Sequence, residues 1–136
     1  MAIISKVENL GNLRTEMTHY KSGQIIHTDA PTDNNGKGAA FSPTDLAATS
    51  LASCMITVMS IKANQLGIDI DGTEAEVEKE MSAKPRKISA IRINILFPKN
   101  YNERDRKILE LTANTCPVIY SLNPDIEKEI NFNYPN

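Results

Sequence analysis

An α+β fold, with helices packed on antiparallel sheet, is what this sequence predicts, and three observations predict it. Short segments of rough apolar/polar alternation occupy both the first third and the later part of the chain. Between them, Leu46–Ile61 runs without a single charged residue, too long for a strand. After the second group of strands come two capped helical segments and one last alternating segment. At 136 residues, with no internal repeat and no low-complexity tract, the chain is expected to form one domain, 1–136.

The elements follow in order. Ile3–Val7 is expected as a strand, Leu13–Tyr20 as a second, and Gln24–Thr28 as a third after the Ser22-Gly23 turn. These three read as an antiparallel meander. Asp29–Phe41 holds Pro31, Asn34, Asn35, Gly36 and Gly38 and reads as a long loop. Ser42-Pro43-Thr44-Asp45 opens the helix with a Ser cap, Pro at the first helical position and an acid at the third. The helix is expected to run for about 25 residues, some 36 Å, to Leu66, where Gly67 stops it. A helix without a polar face is expected to be buried all round. A monomer of this size lacks the chain to cover it, so a second subunit is expected on one flank.

Ile68–Lys79 and Ile88–Phe97 alternate and read as strands, joined by a hairpin loop at Ala83–Arg86. The acids from Asp69 to Glu80 read as the wet side of the first of these. Asn102 caps a second helix, Glu103 to about Thr115. Cys116-Pro117 breaks it and starts a short third helix ending near Leu122, and Ile126–Phe132 closes as a strand.

The net charge is −2, with no basic half, which argues against nucleic acid or an anionic membrane as partner. Met1–Leu10 is too short an apolar run, broken by Lys6 and Glu8, for a signal peptide, and no run of about 20 apolar residues is seen. The expected location is the cytoplasm. Two cysteines, 62 positions apart, suit buried packing or redox chemistry better than a structural staple.

Cys116 precedes Pro117 at a helix N-cap, where backbone amides and the dipole favour a negative sulfur. It reads as a reactive or resolving thiol or as a cysteine capping a kink, and its position makes it the more acidic of the two. Cys54, in mid-helix, reads as a small core hydrophobe or as a thiolate that needs a cation from elsewhere. Arg14, set among apolar strand residues, is the candidate cation or else a strand residue facing water. His19 and His27 lie on neighbouring expected strands and are candidates to face each other. Two His and two distant Cys lack zinc-like spacing, so no metal is expected. No phosphate-binding, dinucleotide or GxSxG motif occurs, so no cofactor is expected.

Taken together, several segments resemble one family. They are Leu10-Gly11-Asn12-Leu13-Arg14, the Ser22-Gly23 turn, Thr28-Asp29-Ala30-Pro31, Ser42-Pro43-Thr44-Asp45-Leu46 into Leu51-Ala52-Ser53-Cys54, then Thr115-Cys116-Pro117-Val118 and Ser121-Leu122. The chain resembles the OsmC/Ohr family, in its OsmC-like (YhfA-like) branch, over nearly its whole length. The resemblance implies antiparallel sheets packed around a long central helix in an intertwined homodimer. It implies a peroxidase reducing organic hydroperoxides, and in some members hydrogen peroxide, at the expense of a thiol or dithiol. Matching motifs make Cys54 the attacking thiol, Cys116 the resolving thiol and Arg14 the assisting arginine.

One departure stands out. The family glutamate falls ten residues before the first cysteine, and Thr44 occupies that position. Asp45 follows, but nine positions place it about 180° from Cys54 on an ideal helix, where capping suits it better. Glu16, two residues from Arg14 on one strand face, is the candidate to orient the guanidinium instead. The missing acid keeps a second expectation open, a non-catalytic stress-response or small-molecule-binding protein on the same scaffold.

Overall fold

A computed structural model describes residues 2–136. The chain divides between Ala47 and Ala48 into two compact units, which are described separately.

The first unit is the expected meander. Strands β1 (Ser5–Gly11), β2 (Arg14–His19) and β3 (Ile25–Asp29) form an antiparallel sheet in that order. β1 starts two residues later than expected and runs four further, because the turn comes at Asn12-Leu13. Both residues have positive φ, 56° and 63°, the left-handed pair that suits a two-residue hairpin. Leu is a poor signal for that conformation, so Leu13 reads as strand when it is turn. After β3 the expected loop contains one helical turn, Thr32–Asn34. It folds back so tightly that a Cβ on Gly36 would lie 1.7 Å from the Ala30 carbonyl oxygen.

Helix α1 (Pro43–Leu66) begins in this unit. Ser42 and Asp45 cap it reciprocally: the Asp45 N–H donates to Ser42 Oγ at 3.0 Å, and the Ser42 N–H donates to Asp45 Oδ2 at 3.0 Å. Gly67, at φ 70°, ends the helix as expected, with the Ile68 N–H donating to the Ala63 carbonyl.

The second unit holds the core. Strands β4 (Glu74–Ser82), β5 (Lys87–Leu96) and β6 (Glu127–Asn133) form one sheet in that order, with helices α2 (Glu103–Ala113) and α3 (Pro117–Ser121) between β5 and β6. β4 starts six residues later than its alternation suggests. Ile68–Thr73 is consumed by the helix stop and by a turn in which the Thr73 N–H reaches the Ile70 carbonyl and Gly72 takes φ 90°. β4 and β5 are antiparallel, but β6 runs parallel to β5, which an all-antiparallel reading misses. A crossover through two helices returns the chain to the starting end of the sheet, as a parallel neighbour requires.

Register lines up Val77, Ile93 and Ile130 in one row and Ala75, Ile95 and Phe132 in the next. That face meets Leu51, Met55 and Met59 of α1 and Leu109 and Ala113 of α2 in one apolar cluster. The other sheet face is wet and carries Glu76, Glu78, Arg92, Asn94, Glu129 and Asn131.

α1 is not buried all round within one chain. Ser50, Ser53, Thr57, Ile61 and Asn64, at helical spacing, are exposed and uncharged. By length and composition α1 is the one helix among the described residues that passes as a membrane span, a match the sequence reading did not make; six of its residues are buried in this fold.

Candidate active site

The fold brings the two cysteines together. Cys54 lies half-buried on α1, one residue before core Met55. Cys116 is 0% exposed and caps α3, its sulfur accepting the Ile119 N–H at 3.4 Å. The Cys54 side chain lies close enough to Cys116 to act on its thiol, and both are free thiols. Two packing events cause this proximity. Leu51 and Met55 seat α1 in the core, and Leu109 and Ala113 seat the end of α2, from which the chain turns into the Cys116 cap.

Burial pushes the Cys116 thiol above its ordinary range. Its Cys54 partner pushes the same way, while the Ile119 and Val118 amides pull it down. The cap contact expected at Cys116 is present, but it does not make this thiol the more acidic one. Desolvation outweighs the amides of a one-turn helix, and Cys116 is held as a neutral thiol.

The first unit places Arg14 directly opposite Asp29 across β2 and β3. The guanidinium grips the carboxylate with two parallel bonds, Nε to Oδ1 and Nη2 to Oδ2, both 2.8 Å. Asp29 is 1% exposed, and its Oδ2 also accepts the Ala39 N–H at 3.0 Å. The bonds from Arg14 hold the Asp29 carboxyl below the usual carboxylate range, against the opposing effect of its burial. The same carboxylate raises the Arg14 guanidinium still further.

Glu16 does not orient Arg14. It lies opposite His27 and meets its Nε2 at 3.2 Å. His19 and His27 do not face each other either, because His19 sits opposite Ser5 and bonds the Ser22 hydroxyl. Thr44 joins Asp45 at the start of α1, its hydroxyl 3.1 Å from that of Ser42. Asp29 is the partner of Arg14 that the sequence does not announce, because it lies one residue beyond the end of the expected strand. Extending the meander by one register step would have set it across from Arg14.

The sequence profile of the OsmC-like protein family matches residues 36–131. A solved structure from Psychrobacter arcticus 273-4, named for an osmotic stress induced and detoxification response, is 50% identical, with TM-score 0.95, covering 98% of this chain and 97% of its own. A Legionella pneumophila organic hydroperoxide resistance protein shares the fold at 18% identity and TM-score 0.75, covering 97% and 96%. So does a Vibrio cholerae protein named for organic hydroperoxide resistance and solved with captopril in one of its active sites, at 14% identity and TM-score 0.70, covering 98% and 94%. No curated protein matches.

Proposed function

Because this chain belongs to the OsmC-like protein family, we propose that it is a cysteine-based peroxidase that reduces organic hydroperoxides. The observation that carries the proposal is the proximity of Cys54 and Cys116, two free thiols far apart in sequence. Proteins of the same fold named for organic hydroperoxide resistance support it.

Cys54 is the more accessible sulfur and takes the nucleophile's role as the thiolate. It attacks the terminal oxygen of the hydroperoxide, the O–O bond breaks, and the alkoxide leaves as the alcohol after gaining a proton. Cys54 is then a sulfenic acid. The Cys116 sulfur attacks it, the S–O bond breaks, and the departing hydroxide takes the thiol proton as water. The resulting disulfide is reduced by two electrons from an external thiol or dithiol. The family resemblance assigns to Arg14 the supply of positive charge and N–H donors for the oxygens that gain charge as the O–O bond stretches. Cys116 suits the resolving role because it is buried, neutral and already in contact with its partner.

We assign the working state to a homodimer. Its support is the uncharged exposed face of α1, where Ile61 is 55% exposed between Thr57 and Asn64. Light scattering is expected to give twice the chain mass, and a monomer at micromolar concentration would remove this assignment.

Mass spectrometry after one equivalent of cumene hydroperoxide tests the chemistry. Loss of two hydrogens, mapped to a Cys54–Cys116 peptide, is the expected result. An unchanged mass favours the non-catalytic binder, the reading that the Thr44 position keeps in play.

A further inference from the structure

We propose that Asp29 is the positioning residue of the Arg14 guanidinium and that the peroxide step depends on the geometry it imposes. The inference rests on the peroxidase reading above and adds a residue to it.

Three observations carry it. First, an arginine side chain rotates about four bonds, and a donor useful for catalysis must be held in one place. The Asp29 pair fixes the plane of the guanidinium, because two parallel bonds of 2.8 Å leave it no free rotation. Second, the pair uses the Nε–H and one Nη2–H of five donors. The remaining three lie on Nη1 and the far side of Nη2, and they form an edge able to meet two oxygens at once. Arg14 is 37% exposed in its side chain, so this edge is not sealed by the pair.

Third, Asp29 is itself buried and anchored. Its side chain is 2% exposed, its Oδ2 takes the Ala39 N–H, and its own N–H donates to the Phe41 carbonyl at 3.1 Å. Asp29 thus ties the returning end of the 30–41 loop at two points. The loop and the guanidinium share one anchor, so a change at Asp29 moves both. Two residues along β2, Glu16 is engaged by His27 rather than by Arg14.

The experiment measures Cys54 oxidation by cumene hydroperoxide in the full chain, by stopped flow under single turnover. Wild type, Asp29→Asn, Arg14→Met and the double variant form a cycle. Asp29→Asn is expected to slow oxidation by about tenfold to a hundredfold, with thermal unfolding recorded alongside. In the Arg14→Met background the same change is expected to do nothing further, because Asp29 acts through the guanidinium. An Asp29→Asn rate equal to wild type, or an equal slowing in both backgrounds, would overturn the proposal; the second result marks a role in folding alone. Should Asp29→Asn not fold, Asp29→Glu replaces it. One extra methylene shifts the guanidinium and is expected to cost at least about tenfold, and a wild-type rate refutes positioning. A ¹⁵N spectrum of the Arg14 Nε–H is independent of turnover. A slowly exchanging signal in wild type that collapses in the Asp29 variant supports the grip, and a signal equally mobile in both overturns it. If wild type does not consume the peroxide, the peroxidase reading falls, and that spectrum alone decides whether Asp29 holds Arg14.

Discussion

Cys116 and Asp29 are both acids sealed from water, 0% and 1% exposed, yet burial leaves them in opposite states. Cys116 is pushed up and held neutral, because its neighbours are apolar side chains, a thiol and only two amides. Asp29 is pulled down and held charged, because a guanidinium grips both its oxygens. Desolvation acts on both groups in the same direction, so the partner decides the outcome. The proposed peroxidase chemistry calls for both results. One thiol must stay quiet until a sulfenic acid forms beside it, and one cation must stay fixed and available.

The largest expected effect removes the thiol half of this comparison and leaves the ion pair intact. Cys54→Ser is expected to abolish peroxide-dependent thiol oxidation, measured as loss of free thiol per peroxide added. Retained turnover would move the nucleophile elsewhere. Arg14→Met attacks the other half. It removes the donor set proposed to meet the developing charge and is expected to slow Cys54 oxidation by about 10²–10³-fold. An unchanged rate takes the arginine out of the mechanism. It also leaves Asp29 buried without its cation, so its carboxyl is expected to titrate higher, a shift that carboxylate NMR reads directly. Cys116→Ser keeps the first turnover and breaks the second. The sulfenic acid, without its partner, is expected to accumulate or pass to sulfinic acid under excess peroxide, seen as a gain of one or two oxygens. Undiminished multiple turnover would mean that another thiol resolves it.

How much of this was legible in the sequence follows from which interactions are local. The Ser42–Asp45 cap, the Gly67 stop and the Asn102 cap lie within a few residues, and all were read in place. The two thiols met through a resemblance, since nothing near Cys54 or Cys116 announces a partner so far along the chain. Cross-strand pairing was the blind spot. Register decides that Asp29 rather than Glu16 faces Arg14, and register depends on a turn at Asn12-Leu13 that carries no glycine at its centre. The acidity of Cys116 was misjudged for a related reason. A helix cap is visible in sequence, whereas full burial comes from α1 and α2 packing over it.

The smallest expected effect uses both acids as reporters of stability. For Asp29 the folded-state pKa lies below that of the unfolded chain, near 3.9. Its contribution is complete above about pH 4 and is lost as the pH falls through the lowered value, because the unfolded chain binds the proton first. For Cys116 the folded-state value lies above the unfolded one, near 8.5. Its contribution is complete below about pH 8.5 and is lost as the pH rises, because the unfolded chain releases the proton first. Tyr101 and Tyr134, both raised by burial, add their losses only above about pH 10. Denaturant midpoints across this range are therefore expected to fall on both flanks. Asp29→Asn flattens the acid flank and leaves the alkaline one, while Cys116→Ser flattens the fall between about pH 8.5 and 10 and leaves the acid one. A variant that lowers the whole curve without changing either flank would show that packing, and not ionisation, is what the buried acid contributes at that position.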